Sequence, residues 1–414
     1  MRFTLFLLLT SLMSFYTLHA QPGCTDPLAL NFDGNATTND GSCQYPSTNL
    51  PPVFKTNLSN TLDENSGLIW VDGSLWTHND GGSEAKIYRI DTLTNAILQT
   101  VTLEGATNTD WEDIAFDGTN FYIGDFGNNA NGNRTDLRIY KFPLAAIPVG
   151  SDVTVPAAQI GVINFVYEDQ TNFDPAGSNN TRFDCEAMFF RNNQLHLFTK
   201  NWIDKTTTHY TLPANAGTFS AQKLETFDVD GLITAADYAA SGVILLLGYN
   251  LQTASAFFWQ VWDYSSDLFF NGNKRRVELG GVLATGQVEG LCFRTDRYGY
   301  FSNEKTAGII PARLYSFELG LSLLTPVRDL NRNSGSTWCA DLPNPLTAVQ
   351  LREFAGKIEP ENVVEIWNSQ GQLVWGSAAL PTGQKAVTLP SGVYFLQVRS
   401  DSRETGCRRT IFLK

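Results

Sequence analysis

SGLIWVDGSLWTHND, at positions 66–80, is the stretch on which the reading of this chain turns. It is a run of strand formers, a tight Asp72-Gly73 turn and a second run, which reads as a β-hairpin. The pattern returns as EDIAFDGTNFYIGD from Glu112, EAMFFRNNQLHLFTK from Glu186, ADYAASGVILLLGYN from Ala236 and EGLCFRTDRYGYFSNE from Glu289. In an antiparallel hairpin the start of one strand lies beside the end of the next. Ser66 therefore falls near Asp80, Glu112 near Asp125, Glu186 near Lys200, Ala236 near Asn250 and Glu289 near Glu304, all on one face. A third strand with an aromatic centre follows each hairpin: KIYRI at 86–90, LRIYKF at 137–142, HYTL at 209–212, FFWQVW at 257–262 and RLYSFEL at 313–319. Most repeats add an outer strand, such as ILQTVTL at 97–103 and KRRVEL at 274–279.

Recurring four-strand units are the signature of a β-propeller. The expected fold is all-β: a five-bladed propeller over 53–327, with six blades as the alternative. The interval between Glu112 and Glu186 is the longest and carries PLAAIPVGSDVTVPAA and DQTNFDPAGSNNTRFD, which read as loop insertions or as the place of a degenerate sixth blade. VFKTNL at 53–58 is available as an outer strand that closes the ring.

The chain has 414 residues, 43% of them hydrophobic and 17% charged, which suits folded domains rather than disorder. The 27 Phe, 14 Tyr and 9 Trp favour strands, and 34 Gly supply turns. A net charge of −13 argues against binding nucleic acid through its phosphates. Residues 1–20 read as a secretory signal, with Arg2 before an apolar stretch and cleavage after Ala20. No later stretch is long and apolar enough to span a bilayer, so no transmembrane segment is expected in the mature chain. Export makes disulfides the expected state of several of the six cysteines. Cys24 and Cys43 bracket a compact segment and form the first expected pair, and Cys339 with Cys407 the second. Cys185 and Cys292 read as buried small apolar residues.

GCTDPLALNFDGNATTNDGSCQY, within 21–46, resembles a short repeat of secreted bacterial proteins akin to thrombospondin type 3 calcium-binding repeats. The resemblance rests on Cys24, Cys43, Asp26, Asn31, Asp40 and Gly41. It implies a small stapled module in which Asp33 and Asp40 are candidate calcium ligands; a disulfide-stapled spacer without metal is the alternative. Residues 47–52 read as a linker, and 328–340 as another. Residues 341–414 carry several short strands and read as a small β-sandwich. Pro343-Asn344-Pro345, VEIWNSQGQLVW, LPSGVYFLQV with Gly392 and Tyr394, and a basic last strand together resemble the C-terminal sorting domain of type IX secretion cargo. That resemblance implies the type IX machinery as a partner, passage through the periplasm and a secreted or cell-surface location.

The propeller itself, in SGLIWVDGSLWTHNDGG, TNTDWEDIAFDG, YIGDFGNN and SNEK, resembles a group of secreted bacterial propellers related to the esterase-like phytases. This implies an acidic channel that binds calcium and hints at phosphoester or ester hydrolysis. Several carboxylates converging on one face repel one another unless protonated, paired or bound to a cation. The candidate metal ligands there are Glu112, Glu186, Glu289, Asp113 and Asp125. His78, Asp80, Lys200, Asp237 and Glu304 are the candidate contacts to an unknown extracellular ligand. No G-x-S-x-G elbow, H-E-x-x-H helix or P-loop is present. The expected function is ligand or cation binding through the acidic face, with a metal-dependent phosphoesterase or esterase as the alternative.

Overall fold

The structure is a computed structural model that describes residues 20–46, 48–306 and 308–319 and the strands within 362–368, 373–376, 392–400 and 408–413. It is an all-β β-propeller. Among the described residues, the strands of its central part group into five antiparallel four-strand units. The first runs Asn65–Val71, Ser74–Asn79, Lys86–Ile90 and Ile97–Leu103. The second runs Trp111–Phe116, Asn120–Asp125, Arg138–Pro143 and Gly161–Tyr167. The third runs Cys185–Arg191, Gln194–Thr199, Thr206–Pro213 and Gly217–Asp228. The fourth runs Leu232–Tyr238, Ile244–Asn250, Ser255–Trp262 and Asn273–Gly281. The fifth runs Gln287–Phe293, Tyr298–Glu304 and Arg313–Glu318, and takes its outer strand, Val53–Asn57, from before the first unit.

Each first strand packs against the first strand of the next unit, and the fifth returns to the first. Apolar side chains fill the wedges between units. Ile87, Val101 and Trp111 pack with Phe121 and Tyr140 between the first two. Leu68, Leu75 and Tyr88 pack with Cys292, Tyr300 and Leu314 where the last meets the first. The aromatic centres of the third strands are thus buried between sheets, and the ring closes through packing as well as through Val53–Asn57. Cys185 and Cys292 are buried free thiols within these wedges.

The long interval after Glu112 supplies the fourth strand of the second unit, which pairs in parallel with the outer strand of the third. It also supplies Val153–Val155, which adds to the outer edge of the first unit. Lys274, Arg275 and Arg276 lie on an outer strand.

The Cys24–Cys43 disulfide is present. Its loop rests on the fourth unit: the Asn39 amide donates to Asn273 Oδ1 at 2.9 Å, and Arg275 lies over the Tyr45 ring at 4.5 Å. In the C-terminal region, Asn362–Asn368, Leu373–Gly376, Gly392–Ser400 and Arg408–Leu413 form one antiparallel sheet, with Gly392 and Tyr394 on its third strand in chain order. The second sheet of a sandwich is not among the described residues. The signal segment before Ala20, the 328–340 linker, Cys339, Cys407, Pro343, Asn344 and Pro345 also lie outside them.

Candidate functional site

All five hairpins slip register at the same step. Glu112 is passed over between Trp111↔Asp125 and Asp113↔Gly124. Glu186, Thr234 and Glu289 are passed over in the same way in units three to five, and Ser66-Gly67 in the first. Such bulges re-aim a side chain and end regular pairing. Five equivalent positions around the ring therefore hold Ser66, Glu112, Glu186, Thr234 and Glu289. The residue just beyond the facing second-strand partner is Asp80, Phe126, Lys200, Tyr249 and Glu304 in the same order. The fourth repeat thus aligns on Thr234, not on Ala236 as its sequence suggests.

Glu112, Glu186 and Glu289 are 3%, 2% and 6% exposed, so each carboxyl is nearly out of water. One ligand atom from each of Asp80, Asp110 and Glu112 falls within 4.8 Å of the others. Asp110 comes from the loop before the second unit and was not a candidate in the sequence. It is held by the turn 125–127: its amide donates to Asp125 Oδ1 at 3.1 Å, and its carbonyl accepts from Phe126 and Gly127. Close approach requires glycine here. A Cβ on Gly127 would lie 2.1 Å from Glu112 Oε1 and 2.5 Å from Asp110 Oδ2, and one on Gly81 would lie 2.5 Å from Asp110 Oδ1.

Burial, reinforced by the charges of Asp80 and Asp184, pushes the Asp110 carboxyl up to about 7. Burial also raises Asp80, and raises Glu112 well above the usual range with Asp80 and Glu186 adding to it. Glu289 is raised to about 7 by burial, with Lys200 pulling against it. Glu304 is raised to about 8 by burial and by the neighbouring Glu289 and Asp80. Three hard oxygen donors with no nitrogen or sulfur ligand among them suit calcium rather than zinc.

The remaining candidates are placed differently. Lys200 is 3% exposed, and its Nζ sits 3.1 Å from Glu186 Oε2. Burial would lower the Lys200 pKa, but the Glu186 carboxylate beside it holds it above the ordinary lysine range. Asp125 is claimed by Arg134 at 2.9 Å. Asp113 accepts from the amides of Ile114 at 2.8 Å and of Met188, in the third unit, at 2.7 Å. Asp237 accepts from Tyr238 and, in the fifth unit, from Phe293. Asp113 and Asp237 therefore tie neighbouring units together. His78 is fully buried, contacts the Asn79 carbonyl through Nδ1 at 3.1 Å, and is lowered to about 4 by burial. In the N-terminal module, Asp33 accepts from the Asn35 amide and Asp40 from the Ser42 amide, in Asx turns.

No family model and no curated protein matches the sequence. Among solved structures, the chain is similar to the PQQ-bound aldose sugar dehydrogenase of Streptomyces coelicolor, at 11% identity and a TM-score of 0.38, over 64% of this chain and 97% of that one. It is similar to PorZ, a bacterial surface component of the type IX secretion system of Porphyromonas gingivalis, at 12% identity and a TM-score of 0.31, over 84% of this chain and 45% of that one. It is also similar to regucalcin, a calcium-binding protein of Agrobacterium tumefaciens, at 10% identity and a TM-score of 0.35, over 66% of this chain and 96% of that one. Among the described residues, no helix is long and apolar enough to cross a membrane.

Proposed function

We propose that this protein is an exported five-bladed propeller that binds calcium at the channel end where Asp80, Asp110 and Glu112 converge, and presents that face to an extracellular ligand. The observation that carries the reading is the 4.8 Å grouping of three carboxyl oxygens, two of them packed against glycines that leave no room for a side chain. Uncompensated carboxylates at that spacing repel one another, and a divalent ion removes the repulsion. Export rests on the signal-like residues 1–20 and on the sorting-domain resemblance of 341–414, and with it the type IX route to the cell surface.

Calorimetric titration of the full mature chain with calcium tests the site. One equivalent should bind at this face, and D80N/D110N/E112Q should lose it. A titration unaffected by the triple substitution overturns the reading.

Metal-dependent ester or phosphoester hydrolysis is the second reading. Glu289 and Glu304, raised to about 7 and about 8 beside the cluster, fall in the range of a general acid at neutral pH. Against a phosphate substrate, Arg134 and Arg138 are held by Asp125 and Asp136, so the approaching anion meets carboxylates. Binding is therefore the leading reading. Calcium-dependent turnover of chromogenic esters that is lost in E289Q would reverse that order.

A further inference from the structure

The bulge ring holds three glutamates, and among the described residues only Glu186 has a cationic side chain in contact with it. Lys200 Nζ contacts Glu186 Oε2 at 3.1 Å. The ammonium is closed off from solvent, with the Trp202 ring at 5.0 Å and the Tyr249 ring at 5.5 Å. At 3% exposure it is placed to neutralise charge rather than to meet an incoming molecule. Even so, Glu186 Oε1 and Glu289 Oε2 are buried oxygens without a hydrogen-bond partner. Both residues are more than nine-tenths buried, and each acts electrostatically on its neighbours in the channel, Glu289 on Glu186 and Glu186 on Glu112. The ammonium contacts one of these two carboxyls and acts electrostatically on the other, as a cation held among carboxylates does.

We propose that Lys200 is a built-in cation that fills a second ion position between Glu186 and Glu289, and so limits the channel to a single divalent ion. This rests on the reading that the Asp80–Asp110–Glu112 group binds calcium. Lysine suits the role because its ammonium is a compact point charge on a flexible stem, able to sit among carboxylates much as a metal ion does. The second position is a consequence of chain geometry: Lys200 directly follows the third unit's second strand, at the position that Asp80 and Glu304 hold on other units. Removing the ammonium leaves the Glu186 carboxylate buried and unpaired, a strongly unfavourable state that a divalent ion relieves.

The experiment counts bound calcium by calorimetry in the full mature chain for wild type, K200M and K200M/E186Q, with circular dichroism of each in EDTA and in calcium. K200M should bind one more equivalent than wild type, and K200M/E186Q should return to the wild-type number. K200M that folds only when calcium is added also supports the proposal, because the ion then replaces the ammonium. A K200M chain with the wild-type number of ions, or one that stays unfolded in saturating calcium, overturns it. Failure of the first group to bind is a separate result: there the D80N/D110N/E112Q titration shows no difference from wild type, and the calcium reading itself fails.

Discussion

Replacing Gly127 by alanine puts a methyl group where two of the proposed ligands now lie. The new Cβ would stand 2.1 Å from Glu112 Oε1 and 2.5 Å from Asp110 Oδ2. Carbon and oxygen settle at roughly 3.5 Å, so the Glu112 and Asp110 carboxyls must both withdraw by about 1 Å or more. Both are side-chain ends, one of them on a loop, and can do so without moving a strand. Gly127 is not in the left-handed region, so alanine accepts its backbone, and the stability of the ion-free chain should change by less than ~1 kcal/mol. The cost appears in binding, where disturbing the support of a metal ligand lowers affinity by about 10–100-fold. At calcium equal to 100 times the wild-type Kd, wild type gains ~2.7 kcal/mol and the variant only ~0.4–1.4 kcal/mol by mass action. At roughly 2–4 °C per kcal/mol, the calcium-induced rise in Tm falls from about 5–11 °C to about 1–6 °C. The assay is thermal unfolding in EDTA and in calcium. A full wild-type rise in the alanine variant would show that the glycine contact does not support an ion site. A collapse of Tm in EDTA would show that the carboxylate is not free to move.

Two further outcomes follow from the same geometry. A carboxyl whose pKa is raised on folding holds its proton more tightly in the folded chain, so its ionisation costs stability. Asp110, Glu289 and Glu304, at about 7, about 7 and about 8, should therefore make the ion-free protein less stable as pH rises from 6.5 to 8.5, and calcium should reverse the trend. Below 6.5 the slope should be shallower, because buried His196, lowered to about 3, and His209, also lowered, must take up protons on unfolding and so oppose part of the carboxyl effect. A flat or rising Tm across 6.5–8.5 in EDTA contradicts the first part. Asp113→Ala separates support from binding: it orphans the buried amides of Ile114 and Met188, which should cost about 3 kcal/mol in a denaturant titration. Its calcium affinity should stay within about threefold of wild type; a much larger loss would make Asp113 a ligand.

The difference between Glu112 and Asp113 marks where the sequence stops being legible. The hairpin pattern was readable because strand formers, turn residues and aromatic third strands recur with little variation. It brought Glu112, Glu186 and Glu289 to one end, as the register shows. It did not show the bulge, because a one-residue slip leaves no mark on composition, yet that slip decides which of two adjacent acids faces the channel. Asp113, one position on, accepts a bond from the next sheet instead. The fourth repeat shows the same limit: without an acid at the slip, the eye aligns Ala236, while the ladder selects Thr234. Asp110 escaped notice because it lies in a loop, outside the repeat, and its role depends on how the turn at 125–127 folds back. Gly127 was the available signal, a second glycine next to a strand end with no turn that demands it. Charge pairing was hidden for a related reason. Arg134 reaches Asp125 and Lys200 reaches Glu186 only after the loops are placed, so the carboxyls left uncompensated are a property of the closed ring. For that reason the next substitutions belong at Gly127 and Lys200, whose environments exist only in the fold.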